Sequence, residues 1–504
     1  MSTTLTKKSI FSASSNLLDT LLRSIIAIVV TPIITHSLGV KSYGAWIMIT
    51  QLFAYLSLAN LNSGSTLKVR LSVIQHDIMP EPKQKLLSAA FKLFKYSLII
   101  SLVFCFVTIV LAPLLFSDNL TELFNIRLAI LVGTLGVIIE QYGAIAGNAL
   151  RGNNLDYKGL GIRSVVIVLS NIIIVILAYL NFGLVGLSIA SFIGSIAFCI
   201  LWFRLAKREL PWFKQQEVSR EELKVYARQS VLTLGHSLGS FLLTNMDAVL
   251  IGIIMGSGYA AKYFISITIF RTLFSPLIST LNSSSGAGLA YLFGSESWAR
   301  AKDVITQLIK VNIILFGAAG IFYIVLNKQI IHLWVGENFY SGERIEFYFV
   351  IFCIVQAIYN LMHYLVDGLQ MFKVKAGISG VLGIIFILLS IPLLSFLHLQ
   401  GILIAASATR IIGIFLLIKG INGKVPNLIS PLLIIIQVIV VACLLFAAHF
   451  FAGLIPALSL KQLILFAGSS ALLLAIAVYI VIPNSFKQRI MLNLPFKKMS
   501  KQAS

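Results

Sequence analysis

The sequence predicts an all-α polytopic membrane protein, and three observations support that prediction. Of its 504 residues, 58% are hydrophobic and only 11% are charged, whereas soluble globular domains are about 25% charged. The apolar residues form continuous runs of about 20, long enough to cross a bilayer as helices and unlike the alternating pattern of barrel strands. The basic residues concentrate in every second connection between runs. A soluble enzyme, a disordered chain and a nucleic-acid-binding protein are thereby excluded.

The apolar runs predict about 14 transmembrane helices. With both termini in the cytoplasm, cytoplasmic segments carry 30 of the 39 Lys and Arg residues, and outer segments carry six. This bias follows the positive-inside rule, which an odd number of spans would violate. The predicted spans are 14–37, 43–63, 93–115, 127–150, 160–181, 183–203, 229–255, 260–287, 305–326, 346–367, 376–396, 401–419, 430–452 and 462–483.

The chain also contains an internal repeat. Gly39 at the start of the second span recurs as Gly256 at the start of the eighth, and Gly186 recurs as Gly401. The offsets, 217 and 215, are nearly equal, and an even number of spans between copies keeps both in the same orientation. We therefore predict an N-terminal six-helix bundle (1–204), a cytoplasmic hinge loop (205–228), a C-terminal six-helix bundle (229–424) and, in 425–504, two extra helices and a basic cytoplasmic tail.

Polar side chains follow one face of several spans at spacings of three and four residues. The clearest stripe is Gln356, Asn360, His363 and Asp367 in the tenth span. A charged side chain at mid-bilayer costs about 2.5–3.5 kcal/mol on insertion scales, so it should face protein or water. Hydroxyl residues can instead simply pack helices together. Asp19 can pair with Arg23 at the membrane boundary, where Arg151 and Asp367 can also lie.

Four segments resemble one known family in their order and spacing. They are SLGVKSYGAWIMITQLFAYLSLANLNSGSTLKVRLS (37–72), NFGLVGLSIASFIGS (181–195), TNMDAVLIGIIMGSGYAAKYFISIT (244–268) and LWVGENF (333–339). They resemble the polysaccharide transporters, the Wzx-type flippases of lipid-linked oligosaccharides. The resemblance implies the superfamily shared with MATE-type multidrug exporters and the peptidoglycan-precursor flippase. That fold has two six-helix bundles around a central cavity, with extra helices at the end.

The resemblance implies a flippase for undecaprenyl-pyrophosphate-linked oligosaccharide repeat units of O-antigen or a similar surface polysaccharide. It would act by alternating access in the bacterial inner membrane, moving its substrate from the cytoplasmic to the outer face. The lipid bilayer and the lipid-linked oligosaccharide are the expected partners, with a polysaccharide polymerase and a chain-length regulator as further candidates. Nucleic acid is not an expected partner, and a monomer suffices.

Three intramembrane arginines, Arg23, Arg271 and Arg410, are the predicted ligands of phosphate or acidic sugar, because guanidinium groups match such anions. The candidate carboxylates for coupling to H+ or Na+ are Glu140, Asp247 and Asp367. Further polar candidates for the cavity are Asn360, His363 and Asn282. No resident cofactor, metal site or catalytic residue is expected.

Two alternatives are open. The first is a MATE-type ion-coupled drug exporter, which shares the predicted layout. The second is a membrane-embedded glycan polymerase or acyltransferase, which should carry a sizeable catalytic loop on one side. The outer segments of this chain are short, and the longest, about 327–345, has no nucleophile–base arrangement.

Overall fold

The computed structural model describes residues 2–58, 61–74, 79–273, 282, 286 and 288–452. Helices hold nearly all of these residues, and no strand occurs among them, which confirms the predicted all-α class. The helices are α1 (Ser2–Leu58), α2 (Ser63–Val73), α3 (Pro80–Leu115), α4 (Leu123–Gly152), α5 (Asp156–Tyr179), α6 (Gly183–Glu209), α7 (Arg220–Asn245), α8 (Asp247–Met255), α9 (Ser257–Leu273), α10 (Trp298–Trp334), α11 (Glu343–Gly368), α12 (Phe372–Leu397), α13 (Leu399–Lys424) and α14 (Pro431–Ala452).

Nine helices in the described part are long and apolar enough to cross a membrane, and the bent pair of α7 and α8 adds a tenth if it forms one span. A multi-pass helical membrane protein is therefore confirmed. The predicted span at 462–483 lies outside the described residues, as does most of 274–287 in the eighth span. The total of 14 spans stays a prediction.

Apolar side chains on the outer face of α3 show why this fold needs a bilayer. Ile99, Phe106 and Leu114 are 65%, 69% and 72% exposed. In water a continuous apolar surface of this kind would drive association. In a bilayer the same side chains face hydrocarbon, and the helix satisfies its own backbone hydrogen bonds.

One predicted span boundary agrees with the structure, and one predicted span is broken. α1 covers the first two predicted spans and has non-helical backbone at Gly39, between them, where φ is 71° and ψ 176°. Glycine adopts this conformation without strain, so the chain breaks its helical path there. The seventh predicted span is instead broken at Met246, where α7 and α8 meet at 50°. The apolar run continues across this break, so hydropathy could not reveal it.

The chain divides into two compact units. Unit 1 comprises residues 1–269, 334–341 and 376–405, and unit 2 comprises residues 270–333, 342–375 and 406–504. The structure of unit 2 is described to residue 452. The six-helix bundles predicted at 1–204 and 229–424 stay a prediction.

The predicted hinge loop is short, because α6 ends at Glu209 and α7 begins at Arg220. Its Phe213 and Val218 are buried in a core cluster of unit 1 together with side chains from α2, α3, α4 and α6. Lys92 on α3 donates to the carbonyl of Val218 at 3.1 Å. This connection therefore packs as part of unit 1 and is fastened to its helices.

Helix boundaries and backbone conformations recur at the predicted repeat offset. Helix α5 begins at residue 156 and α12 at 372, and α6 begins at 183 and α13 at 399. Asn154 and Gln370, also 216 residues apart, both have positive φ, 55° and 58°. Gly39 and Gly256, 217 residues apart, have φ of 71° and 101°. These coincidences agree with a duplication and make position-by-position comparison meaningful.

Candidate functional site

A cluster of charged side chains lies within unit 1, around Asp19 on α1. The Asp19 carboxylate is only 6% exposed. It accepts from Arg23 Nε, one helical turn away, at 3.0 Å. Arg163 Nε on α5 lies 3.8 Å from the same carboxylate oxygen, and Ser164 Oγ donates to the other oxygen at 3.3 Å. Two guanidinium groups therefore converge on one buried carboxylate.

Glu140 on α4 adds a second carboxylate to this cluster. Its side chain is exposed, and Arg163 and Arg23 both lie within electrostatic reach of it. The Arg23 side chain is 41% exposed while it contacts Asp19. Because a guanidinium carries five N–H donors, that contact leaves Arg23 with donors for a further anion. The two arginines and two carboxylates balance each other in charge.

Asp247 lies where the seventh predicted span breaks. It is the first residue of α8, where the helix dipole favours a carboxylate. Its Oδ1 accepts from the backbone N–H of Ala248 at 2.9 Å, and Tyr263 Oη donates to its Oδ2 at 3.1 Å. Broken membrane helices contribute to substrate and ion sites in many transporters. A coupling role for Asp247 stays a prediction.

Arg410 on α13 is the most buried charged side chain of the predicted set, at 1% exposure. Its Nε donates to the side-chain carbonyl of Gln356 on α11 at 2.5 Å. Its Nη1 donates to the backbone carbonyl of Ala406 at 3.1 Å. The guanidinium carbon also lies 4.8 Å from the centre of the Phe352 ring, a cation–π distance. These contacts fix the plane of the guanidinium.

The contacts of Gln356 continue outward along α11. Its side-chain amide donates to Asn360 Oδ1 at 2.8 Å, and Asn360 is exposed. One turn further, the ring of His363 packs edge-on against Tyr359, with centroids 4.3 Å apart. A polar chain thus leads from a buried guanidinium to an exposed carboxamide.

Arg271 lies in the last turn of α9 and is exposed. Arg271 and Arg410 both lie within electrostatic reach of the buried Cys353 on α11. Two of the three predicted arginines therefore come together in unit 2, beside the stripe that contains Gln356 and Asn360. Arginine paired with exposed amides is suited to binding phosphate and sugar hydroxyl groups.

The structure places two other candidates in structural contacts. Both carboxylate oxygens of Asp367 accept from Lys375 Nζ, at 2.9 and 2.7 Å, across the turn between α11 and α12. This matches the boundary position considered for Asp367. Asn282 is 1% exposed and exchanges two hydrogen bonds with Asn312, at 3.1 and 2.8 Å. These bonds hold the Asn282 amide inside the helix packing, and a cavity role for Asn282 stays a prediction.

Two residues that matter here were not among the sequence candidates. Arg163 counts among the cytoplasmic basic residues of the sequence prediction, because it lies only three residues inside the predicted span 160–181. Gln356 belongs to the polar stripe of the tenth span, but as a neutral side chain it was not a candidate ligand. The repeat offset is a second signal for it, because residue 356 is 216 positions after Glu140. At equivalent positions the first repeat carries a carboxylate and the second a carboxamide.

No group of three His, Cys, Asp or Glu side chains able to hold a metal occurs in the part of the chain that the structure describes. Among the candidate carboxylates, Asp247 and Glu140 are the two that are not paired with a lysine as Asp367 is. Coupling to H+ or Na+ stays a prediction for both.

Comparison with known proteins adds a family and a fold. Residues 38–341 match the family model described as "Polysaccharide biosynthesis protein". The chain is 22% identical over 414 residues to the uncharacterized membrane protein EpsK of Bacillus subtilis (strain 168), covering 79% of this chain and 80% of EpsK. It is similar to a solved structure of the lipid II flippase MurJ in an inward closed conformation, with a TM-score of 0.69, 15% identity and coverage of 96% of this chain and 100% of that one.

A second similar structure is an inward-facing multidrug resistance transporter of the MATE family in the MOP superfamily. Its TM-score is 0.57 at 16% identity, and the match covers 83% of this chain and 99% of the transporter. At these identities the likeness shows a shared fold. The all-helical fold of these transporters is thereby confirmed for this chain, while the count of 14 helices and the two six-helix bundles stay predictions.

Proposed function

This chain belongs to the family of polysaccharide biosynthesis proteins, and from that premise we propose that it is a flippase for lipid-linked oligosaccharides. The proposed substrate is an undecaprenyl-pyrophosphate-linked repeat unit of O-antigen or a similar surface polysaccharide. It moves by alternating access from the cytoplasmic to the outer face of the bacterial inner membrane. Both chain termini lie in the cytoplasm in this proposal, as the distribution of basic residues predicts.

The convergence of Arg410 and Arg271 beside α11 carries this proposal. A sugar–pyrophosphate head group cannot cross about 30 Å of hydrocarbon without polar partners. A buried arginine inside a membrane protein is costly and is usually retained for function. Arg410 is held in a fixed plane by Gln356 and Phe352, a geometry suited to bidentate contact with phosphate. Asn360 offers an exposed carboxamide beside it for sugar hydroxyl groups.

The roles we propose follow the geometry of each unit. In unit 2, Arg271 and Arg410 bind the pyrophosphate or an acidic sugar. In unit 1, Arg23 offers phosphate or acidic sugar the donors that Asp19 does not use. Asp247 is the preferred coupling carboxylate, followed by Glu140, for H+ or Na+. Each elementary charge that crosses the membrane potential contributes about 2.3 kcal/mol per 100 mV, which can drive net export.

The test follows the side of the membrane on which the lipid-linked intermediate accumulates. We expect Arg410→Gln and Arg271→Gln, at normal expression, to trap complete repeat units on the cytoplasmic face, as mass spectrometry of labelled lipid extracts can measure. Arg344→Gln is the matched control, because Arg344 is an exposed arginine in the first turn of α11, outside the site. Normal surface glycan in both site variants would overturn the assignment of the site.

The same experiment separates the two other functions. Accumulation of single repeat units on the outer face would place the defect in polymerisation and favour a membrane-embedded glycan polymerase or acyltransferase. An unchanged intermediate together with lost drug resistance would favour the MATE-type exporter, whose fold this chain shares. We propose that the protein acts as a monomer and delivers its product to a polymerase and a chain-length regulator.

A further inference from the structure

Gln356 links the two ends of the polar chain in unit 2. Its carbonyl oxygen accepts from the buried Arg410, and its amide nitrogen donates to the exposed Asn360. A carboxamide accepts through its oxygen and donates through its nitrogen while it stays neutral. A carboxylate of the same size could accept from Arg410 but could not donate to Asn360.

The internal repeat provides an example with a carboxylate in place of the carboxamide. The equivalent position in α4 carries Glu140, and the two arginines near it, Arg23 and Arg163, share their surroundings with the carboxylates of Glu140 and Asp19. Position 356 keeps the length of the Glu140 side chain and replaces its charge by an amide. The two units therefore differ in charge at this position, which contacts Arg410 in unit 2.

We propose that Gln356 is a positioning residue of the anion site. It fixes the guanidinium plane of Arg410 and orients Asn360 towards the substrate, and it adds no negative charge to compete with the head group. The inference rests on the proposed function, and it names the residue that makes the Arg410 site selective for an anionic ligand. Gln356 need not touch the substrate to do this.

Charge arithmetic sets the size of the expected effect. A carboxylate at position 356 would lie against Arg410 and within about 8 Å of a phosphate bound by that arginine. Two like charges at that distance and an effective dielectric constant of about 20 repel strongly enough to weaken binding at least tenfold. The same carboxylate would pair with Arg410 in the free protein, so the fold should not lose thermal stability.

The experiment measures binding and stability on the same purified full-length protein in detergent. The probe is farnesyl-diphospho-N-acetylglucosamine, a diphosphate diester, and titration calorimetry gives its dissociation constant. The variants are Gln356→Glu, Gln356→Leu and Arg410→Gln. Gln307→Glu is the matched control, because Gln307 is exposed on α10 and undergoes the same change in charge. The midpoint of thermal unfolding is recorded for each variant.

We expect Gln356→Glu to weaken binding at least tenfold while its unfolding midpoint stays at or above that of the unaltered protein. Gln356→Leu should weaken binding about threefold and lower the midpoint, because it leaves Arg410 and Asn360 without their shared partner. Gln307→Glu should change neither quantity. Opposite movements of affinity and stability in Gln356→Glu distinguish positioning from general support of the fold.

The outcomes separate this inference from the proposed function. If Arg410→Gln abolishes binding but Gln356→Glu binds normally, the positioning role is wrong and the anion site stands. If both bind normally, the anion site itself is wrong. If Gln356→Glu and Gln356→Leu lose affinity in proportion to lost thermal stability, Gln356 only supports packing, and the inference is again overturned.

Discussion

Helix α4 around Glu140 and helix α11 around Gln356 occupy equivalent positions in the repeat, yet they hold different chemistry. In unit 1 the nearby arginines share a buried carboxylate, Asp19, and face a second one, Glu140. In unit 2 the deepest arginine, Arg410, contacts an amide, a backbone carbonyl and an aromatic ring. The two helices end at equivalent positions, Gly152 and Gly368, while their polar faces differ. In the proposed function, unit 1 supplies the coupling carboxylates and unit 2 binds the anionic head group.

The largest expected effect comes from removing the buried carboxylate of unit 1. Asp19→Asn leaves Arg23 and Arg163 facing an amide, and removing one partner of a buried ion pair costs about 3–5 kcal/mol. We expect about 3 kcal/mol, at the low end, because Arg23 is partly exposed. The fraction of protein that survives heating as a monodisperse peak in size-exclusion chromatography measures the loss.

The control for that prediction is Asp118→Asn, which makes the same substitution in the connection between α3 and α4 of unit 1. The Asp118 carboxylate accepts hydrogen bonds from the hydroxyl and the backbone N–H of Ser257, a neutral residue. If Asp19→Asn lowers thermal stability no more than Asp118→Asn does, the ion cluster around Asp19 does not stabilise unit 1. The proposed difference in electrostatics between the two units would then have no effect on stability.

The next effect concerns the turns that follow the two compared helices. Arg151, in the last turn of α4, pairs with Asp156 in the first turn of α5 at 2.9 Å. In unit 2 the signs are reversed, with Asp367 at the end of α11 and Lys375 at the start of α12. Helix dipoles favour a cation at a C-terminus and an anion at an N-terminus, so they reinforce the pair of unit 1 and oppose that of unit 2.

Exchanging the charges of the second pair tests this contrast. Asp367→Asn should destabilise the protein by about 1 kcal/mol, the upper value for partly exposed pairs. The double variant Asp367→Lys with Lys375→Asp should recover this loss and gain a few tenths of a kcal/mol from the dipoles, roughly as in other helix-terminus pairs. Normal transport by the double variant is also expected. Lost transport despite recovered stability would return Asp367 to the ion-coupling candidates.

A smaller effect is expected for the carboxylate that faces the unit 1 arginines. Glu140→Gln makes the two repeats alike at this position and removes a negative charge near Arg23 and Arg163. We expect the affinity for the diphosphate probe to stay equal or to rise about threefold. The change is small because the Glu140 side chain is exposed and its charge is partly screened. Coupling of transport to pH or Na+ should weaken in proteoliposomes. A large loss of affinity would contradict the division of roles between the units.

Sequence reasoning reached the fold because apolar run length and charge asymmetry report on the bilayer directly. It placed Arg410 inside a span, where a charged side chain is expected to face protein or water and not lipid. It could not find the contact between Arg410 and Gln356, because that depends on how α11 and α13 are rotated about their axes. The break at Met246 was invisible because the apolar run continues through it. Arg163 was missed because a charge near the start of a span looks like a loop residue.

The smallest expected effect lies at the first turn of α7, which follows the 210–219 connection. Ser219 caps α7, and its backbone N–H donates to Glu222 while the Glu222 backbone donates to Ser219 Oγ. The hydrogen bond from the Ser219 backbone lowers the pKa of Glu222 below its ordinary value of 4.5, and Lys85 lowers it further. A lowered pKa means that the charged form stabilises the helix end above pH 4.5.

That contribution is lost as the pH falls through the lowered pKa of Glu222 in the folded protein, because protonation removes the acceptor charge. Amide hydrogen exchange at residues 220–224 should therefore accelerate on acidification below pH 4.5, and Glu222→Gln should remove this dependence. Glu221→Gln is the matched control on the adjacent residue. Since the core cluster that holds the 210–219 connection is apolar, acidification should open the first turn of α7 and leave that connection packed. Exchange that spreads into residues 210–219 would show that the cap, and not the buried Phe213 and Val218, fastens this connection to unit 1.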